Sequence, residues 1–371
     1  MVAPRLTVVQ LLPALHSGGV ERSTLEIAAA LVAAGHRSIV VSAGGRLVEP
    51  LVAGGSEHLS LEIGRKSLHA VGTMRRLRAA LATLAPDIVH ARSRLPAWLG
   101  WFALRGLKAP GPHFVTTMHG LHSPGCYSGV MLRGERVICV SESVRSHALR
   151  HWPATDPARL RVIPRGIDTD AFPRGFQPTA QWRARFAAEL PALQGGRLLL
   201  MPGRGTRLKG HAAAIRLLAA LRAAGEDARL WLLGTDEPGR EDYVAELWAL
   251  ARGLGVQSAL AISPPRSDVR EAYAVADLVL QLSSKPEAFG RTVLEALSVG
   301  RPVLGWDHGG VGELLRRLYP SGAVRLGDHA ALAGAARALL AAPPPMPVTI
   351  PHTLAAMQSA TLDVYERLVA D

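Results

Sequence analysis

Hydrophobic positions along this chain gather into short β-rich runs, and between them Ala and Leu recur at helical spacing. In the first half, RLTVVQLL (5–12), RSIVVSA (37–43), DIVHARS (87–93), HFVTTMH (113–119), RVICVS (136–141) and LRVIP (160–164) predict strands. VERSTLEIAAALVAAGH (20–36) and SLHAVGTMRRLRAALATLA (67–85) predict helices between them. The second half repeats the scheme with RLLLMPG (197–203), ARLWLLG (228–234), LVLQLSS (278–284) and RPVLGWD (301–307). Strand and helix in alternation predict an α/β protein with parallel sheets and helices on both faces. The number of strands on each side predicts two doubly wound domains rather than one. RGFQPTAQWRARFAAELPALQGG (174–196) is irregular and is the expected junction, which puts the domains at 1–175 and 195–345. A Pro-rich break, AAPPPMP (341–347), precedes a last helix, TLAAMQSATLDVYERLVA (353–370).

In open α/β sheets a ligand sits at the carboxyl ends of the strands. Two such domains facing one another would line a cleft with strand-end loops, and the candidate chemistry falls on those loops. LLPALHSGGVERSTLEIA sets Gly18 and Gly19 between the first strand and a helix, where backbone can approach an anion closely. A structural turn explains the same glycines. LLLMPGRGTRLKGH puts Arg204 and Lys209 five apart around a glycine-containing loop, a spacing that suits a diphosphate. Lys209 is followed by Gly210 and His211, so the P-loop pattern fails, and Leu208 stands where a dinucleotide fingerprint needs glycine. His119 ends a predicted strand and is a candidate for hydrogen bonding or proton transfer, with Arg92 and Arg94 on the same predicted edge. A structural histidine is the plainer reading of that residue.

KPEAFGRTVLEALSVGRPVLG (285–305) raises a sharper question. Glu295 sits among Val293, Leu294, Ala296 and Leu297, and a carboxylate is costly to bury without hydrogen-bond donors. Either the protein supplies them or a hydroxyl-rich ligand does. Were the segment helical throughout, Glu287 and Glu295 would stand about 12 Å apart along its axis. That separation suits two diols on one ligand better than one acid–base pair. With Arg204 and Lys209 the constellation reads sugar, diphosphate, ribose, which is a nucleotide sugar.

Composition narrows the classes. The 371 residues are 48% hydrophobic and 19% charged, enough for sizeable cores, and no apolar run reaches the length of a membrane span. The start lacks a basic region followed by an apolar stretch and a cleavage site, which predicts a cytoplasmic protein. Two cysteines, Cys126 and Cys139, are too few for a disulfide framework, and Cys139 reads as a small buried hydrophobe. The net charge of +12 is uneven: residues 1–170 hold 20 Lys/Arg against 11 Asp/Glu. Such an excess favours an anionic partner or an acidic membrane surface. With 5% aromatic residues and no basic run interleaved with aromatics, nucleic acid is not expected. Asp168 and Asp170 form an Asp-x-Asp pair bracketed by Pro164, Gly166 and Pro173, read here as a turn or hinge and not as a metal site. No metal and no other cofactor is expected.

Taken in order, GGVERSTLEIA, VSESV (140–144), VIPRGIDTDAF (162–172), GRGTRLKG (203–210) and PEAFGRTVLEALSVGRPVLG (286–305) resemble the retaining glycosyltransferases of family 4. Their fold is GT-B, two Rossmann-like domains. The resemblance implies that Arg204 and Lys209 neutralise the donor diphosphate and that Glu295 binds the ribose hydroxyls. Glu287 would bind the transferred sugar, and His119 would contact it near the reaction centre. Backbone amides of Ala288, Phe289, Gly290 and Arg291 would hold sugar and phosphate oxygens, while Gly18 and Gly19 would face the phosphates. It also implies a metal-free, front-side transfer and a last helix, 352–371, that returns to the first domain.

Two departures stand out. Arg165 occupies the place of a common Asn in VIPRGID, and SSK precedes Pro286-Glu287. At subfamily level the chain is similar to transferases that extend the lipopolysaccharide core. Its expected acceptor is therefore a phosphorylated glycolipid or oligosaccharide at the inner membrane surface, and its expected donor UDP-glucose or a similar sugar. GDP-mannose transfer and a non-catalytic nucleotide-sugar or glycan-binding protein are the alternatives. ISPPRSD (262–268) is the candidate loop for the base.

Overall fold

Each half of the chain builds its own parallel sheet. The computed structural model describes residues 5–16, 18–65 and 70–370. Its first sheet joins β1 (Thr7–Leu11), β2 (Arg37–Ser42), β3 (Glu57–Ser60), β4 (Ile88–Ala91), β5 (His113–Met118), β6 (Arg136–Cys139) and β7 (Leu160–Val162). Their order is β3-β2-β1-β4-β5-β6-β7. The second sheet joins β8 (Arg197–Pro202), β9 (Ala228–Leu233), β10 (Leu260–Ser263), β11 (Leu278–Gln281), β12 (Val303–Trp306) and β13 (Ala323–Val324). Their order is β10-β9-β8-β11-β12-β13. Every pairing between neighbouring strands is parallel.

Strands buried on both faces lose the polar alternation of a half-exposed sheet. Leu278–Gln281 and Val303–Trp306 are buried at every position, which is why their apolar runs announced them. Strands β3, β10 and β13 were not predicted. β3 is the polar EHLS on one edge of the first sheet, and β10 and β13 are short strands on the two edges of the second. The predicted helices appear as Gly19–Ala33 and Ala70–Leu84. Residues 67–69 of the second prediction lie outside the described residues.

Compact units divide the chain at Gly166 and Ile167, so the division precedes the expected junction. The stretch 174–196 belongs to the second unit because it folds. Thr179 caps the helix Ala180–Glu189 by accepting from the Trp182 amide at 3.2 Å. Trp182 stacks on Phe186, whose ring lies 5.2 Å from that of Trp231 in β9.

The chain returns to the first unit at Leu354. In the helix Leu354–Ala370 the buried residues are Met357, Thr361, Val364, Tyr365 and Leu368, one face at helical spacing. That face joins the core around Val8, Ile27, Ile88, Val115 and Ile138. Each sheet reverses its order once, at β1/β4 in the first unit and at β8/β11 in the second. A doubly wound sheet binds its ligand at the carboxyl ends beside that reversal.

Candidate functional site

In the second unit the reversal point carries the predicted cations and one carboxylate. After β8 the chain turns through Gly203–Thr206 and a short 3-10 turn, Arg207–Lys209, into the helix His211–Ala223. After β11 it runs through Ser283 and Ser284 to Glu287. The two loops are tied together, since the Ser284 amide donates to the Leu208 carbonyl at 2.8 Å. Lys209 Nζ donates to Glu287 Oε1 at 2.6 Å, and the Ser283 hydroxyl donates to the same oxygen. Both members of the pair remain about one quarter exposed, at 27% and 23%. Arg204 is exposed, and its guanidinium has no hydrogen-bond or ion-pair partner among the described residues.

Glu287 lies in a loop, because the helix begins only at Arg291. The two glutamates are therefore not on one helix. Gly290 precedes the helix with φ 124° and no side-chain cap bond, and the Val293 amide donates to its carbonyl at 3.0 Å, so no side chain covers the helix start. A Cβ there would meet Val311 Cγ2 at 2.9 Å, so sterics as well as backbone angle demand glycine. Ala288 is partly exposed, whereas the Phe289 side chain is buried and meets the His352 ring edge-on at 6.0 Å.

Glu295 is 8% exposed, and the protein supplies a hydroxyl donor and a nearby cation for it. Tyr273 donates its hydroxyl to Oε2 at 2.8 Å, and Arg291 Nε lies 3.9 Å from Oε1, one helical turn away. Sequence reasoning missed Tyr273, and it missed Gly309 and Gly310 as well. Those glycines open the helix Gly309–Leu318, and the Gly310 amide donates to the Glu287 carbonyl at 2.8 Å. A Cβ on Gly310 would strike the Ala288 carbonyl at 2.6 Å. The signal was present in WDHGGVGE, a strand followed by paired glycines and a helix, the pattern already noted at Gly18-Gly19. His211 is fully buried between Thr235 and Tyr243 and held down at about 4, by burial first and by Lys209 second. It is a neutral anchor beneath the loop.

The expected base loop follows β10, on the sheet edge away from the reversal. Its charges are engaged with each other and with the neighbouring helix. Arg266 makes two 2.8 Å bonds to Asp268 and one to Glu189, and Trp182 donates to Asp268 at 2.7 Å. Hydrogen bonding from Arg266 holds the Asp268 carboxyl down at about 2.

In the first unit Gly18 and Gly19 open the helix Gly19–Ala33 at the β1/β4 reversal. His119 follows β5 directly. Arg165, beyond β7, joins the two: its NH1 donates to His119 Nδ1 at 2.8 Å and its NH2 donates to the Gly19 carbonyl. Burial, and then the nearby Arg165 and Arg92 charges, hold His119 well below the usual imidazole range. Arg92 is buried, its Nε donating to Gln10 at 2.6 Å. Arg94 stays at the surface, with its guanidinium over the Tyr127 ring.

Asp168 accepts from the Asp170 amide at 3.0 Å, closing the predicted turn. Among the described residues no three His, Cys, Asp or Glu side chains are grouped to hold a metal ion. Cys139 is buried, which pushes its thiol up to about 12, and Cys126 is exposed.

Two Rossmann-like units, with cations, a carboxylate and an uncapped helix start gathered at the reversal of the second sheet, define the GT-B class of architecture. Residues 17–171 match Glycosyltransferase Family 4, and residues 183–348 match Glycosyl transferases group 1. The chain belongs to the GT-B glycosyltransferases that join these two modules. It is 31% identical to the D-inositol 3-phosphate glycosyltransferase of Xylanimonas cellulosilytica over 240 residues, 61% of this chain and 56% of that one. The match thus spans little more than half the length of that relative. A glycosyltransferase structure from Rickettsia africae superposes with a TM-score of 0.82 at 26% identity, covering 98% of this chain and 99% of the other. HepE from Anabaena, solved in complex with UDP and glucose, shares the fold with a TM-score of 0.76 at 19% identity, covering 98% and 100% of the two chains.

Proposed function

We propose that this protein transfers a hexose from a nucleotide sugar to a phosphorylated acceptor, with retained configuration and without a metal ion. The observation that carries the reading is the cluster at the β8/β11 reversal. Lys209 and Glu287 are paired there, Arg204 stands unengaged, and the amides around Gly290 begin an uncapped helix. Arg204, Lys209 and those amides supply positive charge for a departing diphosphate. Glu287 accepts hydroxyls of the transferred sugar, Glu295 accepts those of the ribose, and His119 donates to a sugar oxygen. The acceptor hydroxyl attacks the anomeric carbon on the face the diphosphate leaves. The new C–O bond forms as the old one breaks, and the acceptor proton passes to the leaving phosphate oxygen. Positioning and charge stabilisation then carry the catalysis.

UDP-glucose is the proposed donor, supported by the UDP and glucose bound to HepE. A phosphorylated acceptor is supported by the basic first half and by relatives named for D-inositol 3-phosphate. A lipopolysaccharide core or another lipid-linked oligosaccharide meets the same requirement, with the protein attached peripherally to the cytoplasmic face of the inner membrane.

Nucleotide release from UDP-glucose, UDP-galactose, UDP-N-acetylglucosamine, GDP-mannose and ADP-heptose tests this. Each donor is offered with D-inositol 3-phosphate or core oligosaccharide, with and without chelator, beside Glu287→Ala. Chelator-resistant turnover of one UDP-hexose, at least a hundredfold lower in the variant, is expected for an interaction made at the reacting sugar. Turnover of GDP-mannose alone would replace the donor. Binding of a donor with no turnover on any acceptor would favour a binding protein.

A further inference from the structure

We infer that Arg165 is the positioning residue that fixes the tautomer of His119, making the imidazole a hydrogen-bond donor through Nε2 and removing it as a proton acceptor. A guanidinium has donors and no acceptor, so the ring nitrogen it faces must present a lone pair. Arg165 NH1 stands 2.8 Å from Nδ1, which leaves the proton of the neutral ring on Nε2. That Nε2 is buried and has no hydrogen-bond partner among the described residues. A second Arg165 bond, to the Gly19 carbonyl, ties the fork to the start of the helix Gly19–Ala33. The guanidinium therefore links the residues that follow β5 and β7 to the start of the helix Gly19–Ala33.

The groups around His119 give it no way to become a cation. Arg165, Arg92, His90 and His122 face it, and all oppose a positive charge there. His90 is engaged at both nitrogens, by Tyr365 and by Thr117, so it cannot exchange a proton with His119. His122 is itself pushed down to about 4. A ring that holds its only proton on Nε2, with Nδ1 occupied, cannot take a proton from an acceptor hydroxyl. It can donate to an oxygen that arrives with a ligand. This assignment separates the two roles open to a strand-end histidine, and only its use toward a sugar oxygen rests on the proposed function. An Asn at 165, common in the resembled pattern, carries both a donor and an acceptor and imposes neither tautomer.

Full-length protein labelled with 15N-histidine tests the assignment directly, with His119 identified by its loss in His119→Gln. Long-range 1H–15N spectra between pH 5 and 8 should show one neutral ring protonated at Nε2 that does not titrate. In Arg165→Gln the tautomer should become mixed and the titration should move up toward the ordinary range near 6.5. Arg165→Lys, which offers donors only, should keep Nδ1 unprotonated. If Arg165→Gln does not fold by thermal melting, the wild-type and Arg165→Lys spectra decide. A wild-type ring protonated on Nδ1, or titrating within that range, overturns the inference, and so does an unchanged spectrum in Arg165→Gln. UDP-glucose added to the wild type should then shift the Nε2 resonance. If it does not, the sugar-contact proposal fails while the tautomer assignment stands.

Discussion

Glu295 illustrates how a carboxylate persists on an otherwise buried helix. Among the buried residues of Arg291–Val299 it is the only charged one, and Tyr273 and Arg291 lie against its two oxygens. The Tyr273 bond fixes one oxygen and aims the other, so removing the hydroxyl should loosen the carboxylate more than it harms the core. Tyr273→Phe is expected to weaken UDP-glucose binding about tenfold, roughly 1.4 kcal/mol, with little change in melting temperature. Calorimetric titration beside Glu295→Gln checks it, and wild-type affinity in Tyr273→Phe would show that the ring only packs. Charged residues of this kind were legible in the sequence because Arg204, Lys209, Glu287 and Glu295 stand beside glycines or inside apolar runs, where charge needs a reason. Tyr273 was not, since an aromatic in EAYAVADL reads as core until its hydroxyl is seen against a carboxylate. Arg165 was noted as an odd residue, but its partner lies 46 positions away in sequence and only the topology brings them together.

At the scale of elements, periodicity gives identity and tertiary contact gives place. The last helix was readable from its apolar spacing, yet nothing in that spacing says which sheet it covers. The structure lays it on the first unit, where Gln358 donates to the Glu26 carbonyl at 2.8 Å and Tyr365 meets His90 Nδ1 at 2.5 Å. Burial pushes the Tyr365 phenol up to about 12, so it stays neutral and serves as a polar link inside the core. Tyr365→Phe keeps the ring and removes that link, leaving His90 with an unmet buried polar atom. Chemical denaturation is expected to show a loss of about 1–3 kcal/mol in the transition that includes the first unit. No loss would mean that the helix is held by its apolar face alone. The unpredicted strands β3, β10 and β13 tell the complementary story. Edge strands need little apolar sequence of their own, because a partner on one side is enough to define them.

On the scale of the whole molecule the uneven charge acquires a location. From residue 88 to residue 134 there is no Asp or Glu, and five Lys or Arg stand in that span. The helix Arg94–Leu104 lies in it and carries Trp98, Trp101 and Phe102, with Phe102 47% exposed. Arg133 and Arg105 lie over the Trp101 ring at 4.3 and 4.7 Å, and Arg94 lies over the 36% exposed Tyr127 at 5.3 Å. Indole rings with guanidinium groups at their faces suit the boundary between acyl chains and anionic headgroups. Among the described residues no helix is long and apolar enough to cross a bilayer, so this face would rest on the surface. Each cation near an anionic leaflet contributes about 1 kcal/mol, and salt screens that attraction. Sedimentation with vesicles containing phosphatidylglycerol is therefore expected to retain the protein at low salt and to release it as salt rises. Arg105→Glu combined with Arg133→Glu should lower retention at least tenfold, about 1.4 kcal/mol, and Trp98→Ala should lower it without changing the salt dependence. Equal retention on neutral vesicles would assign the binding to the aromatic residues alone. No retention on anionic vesicles at low salt would leave the aromatic face without a membrane role and place the acceptor in solution.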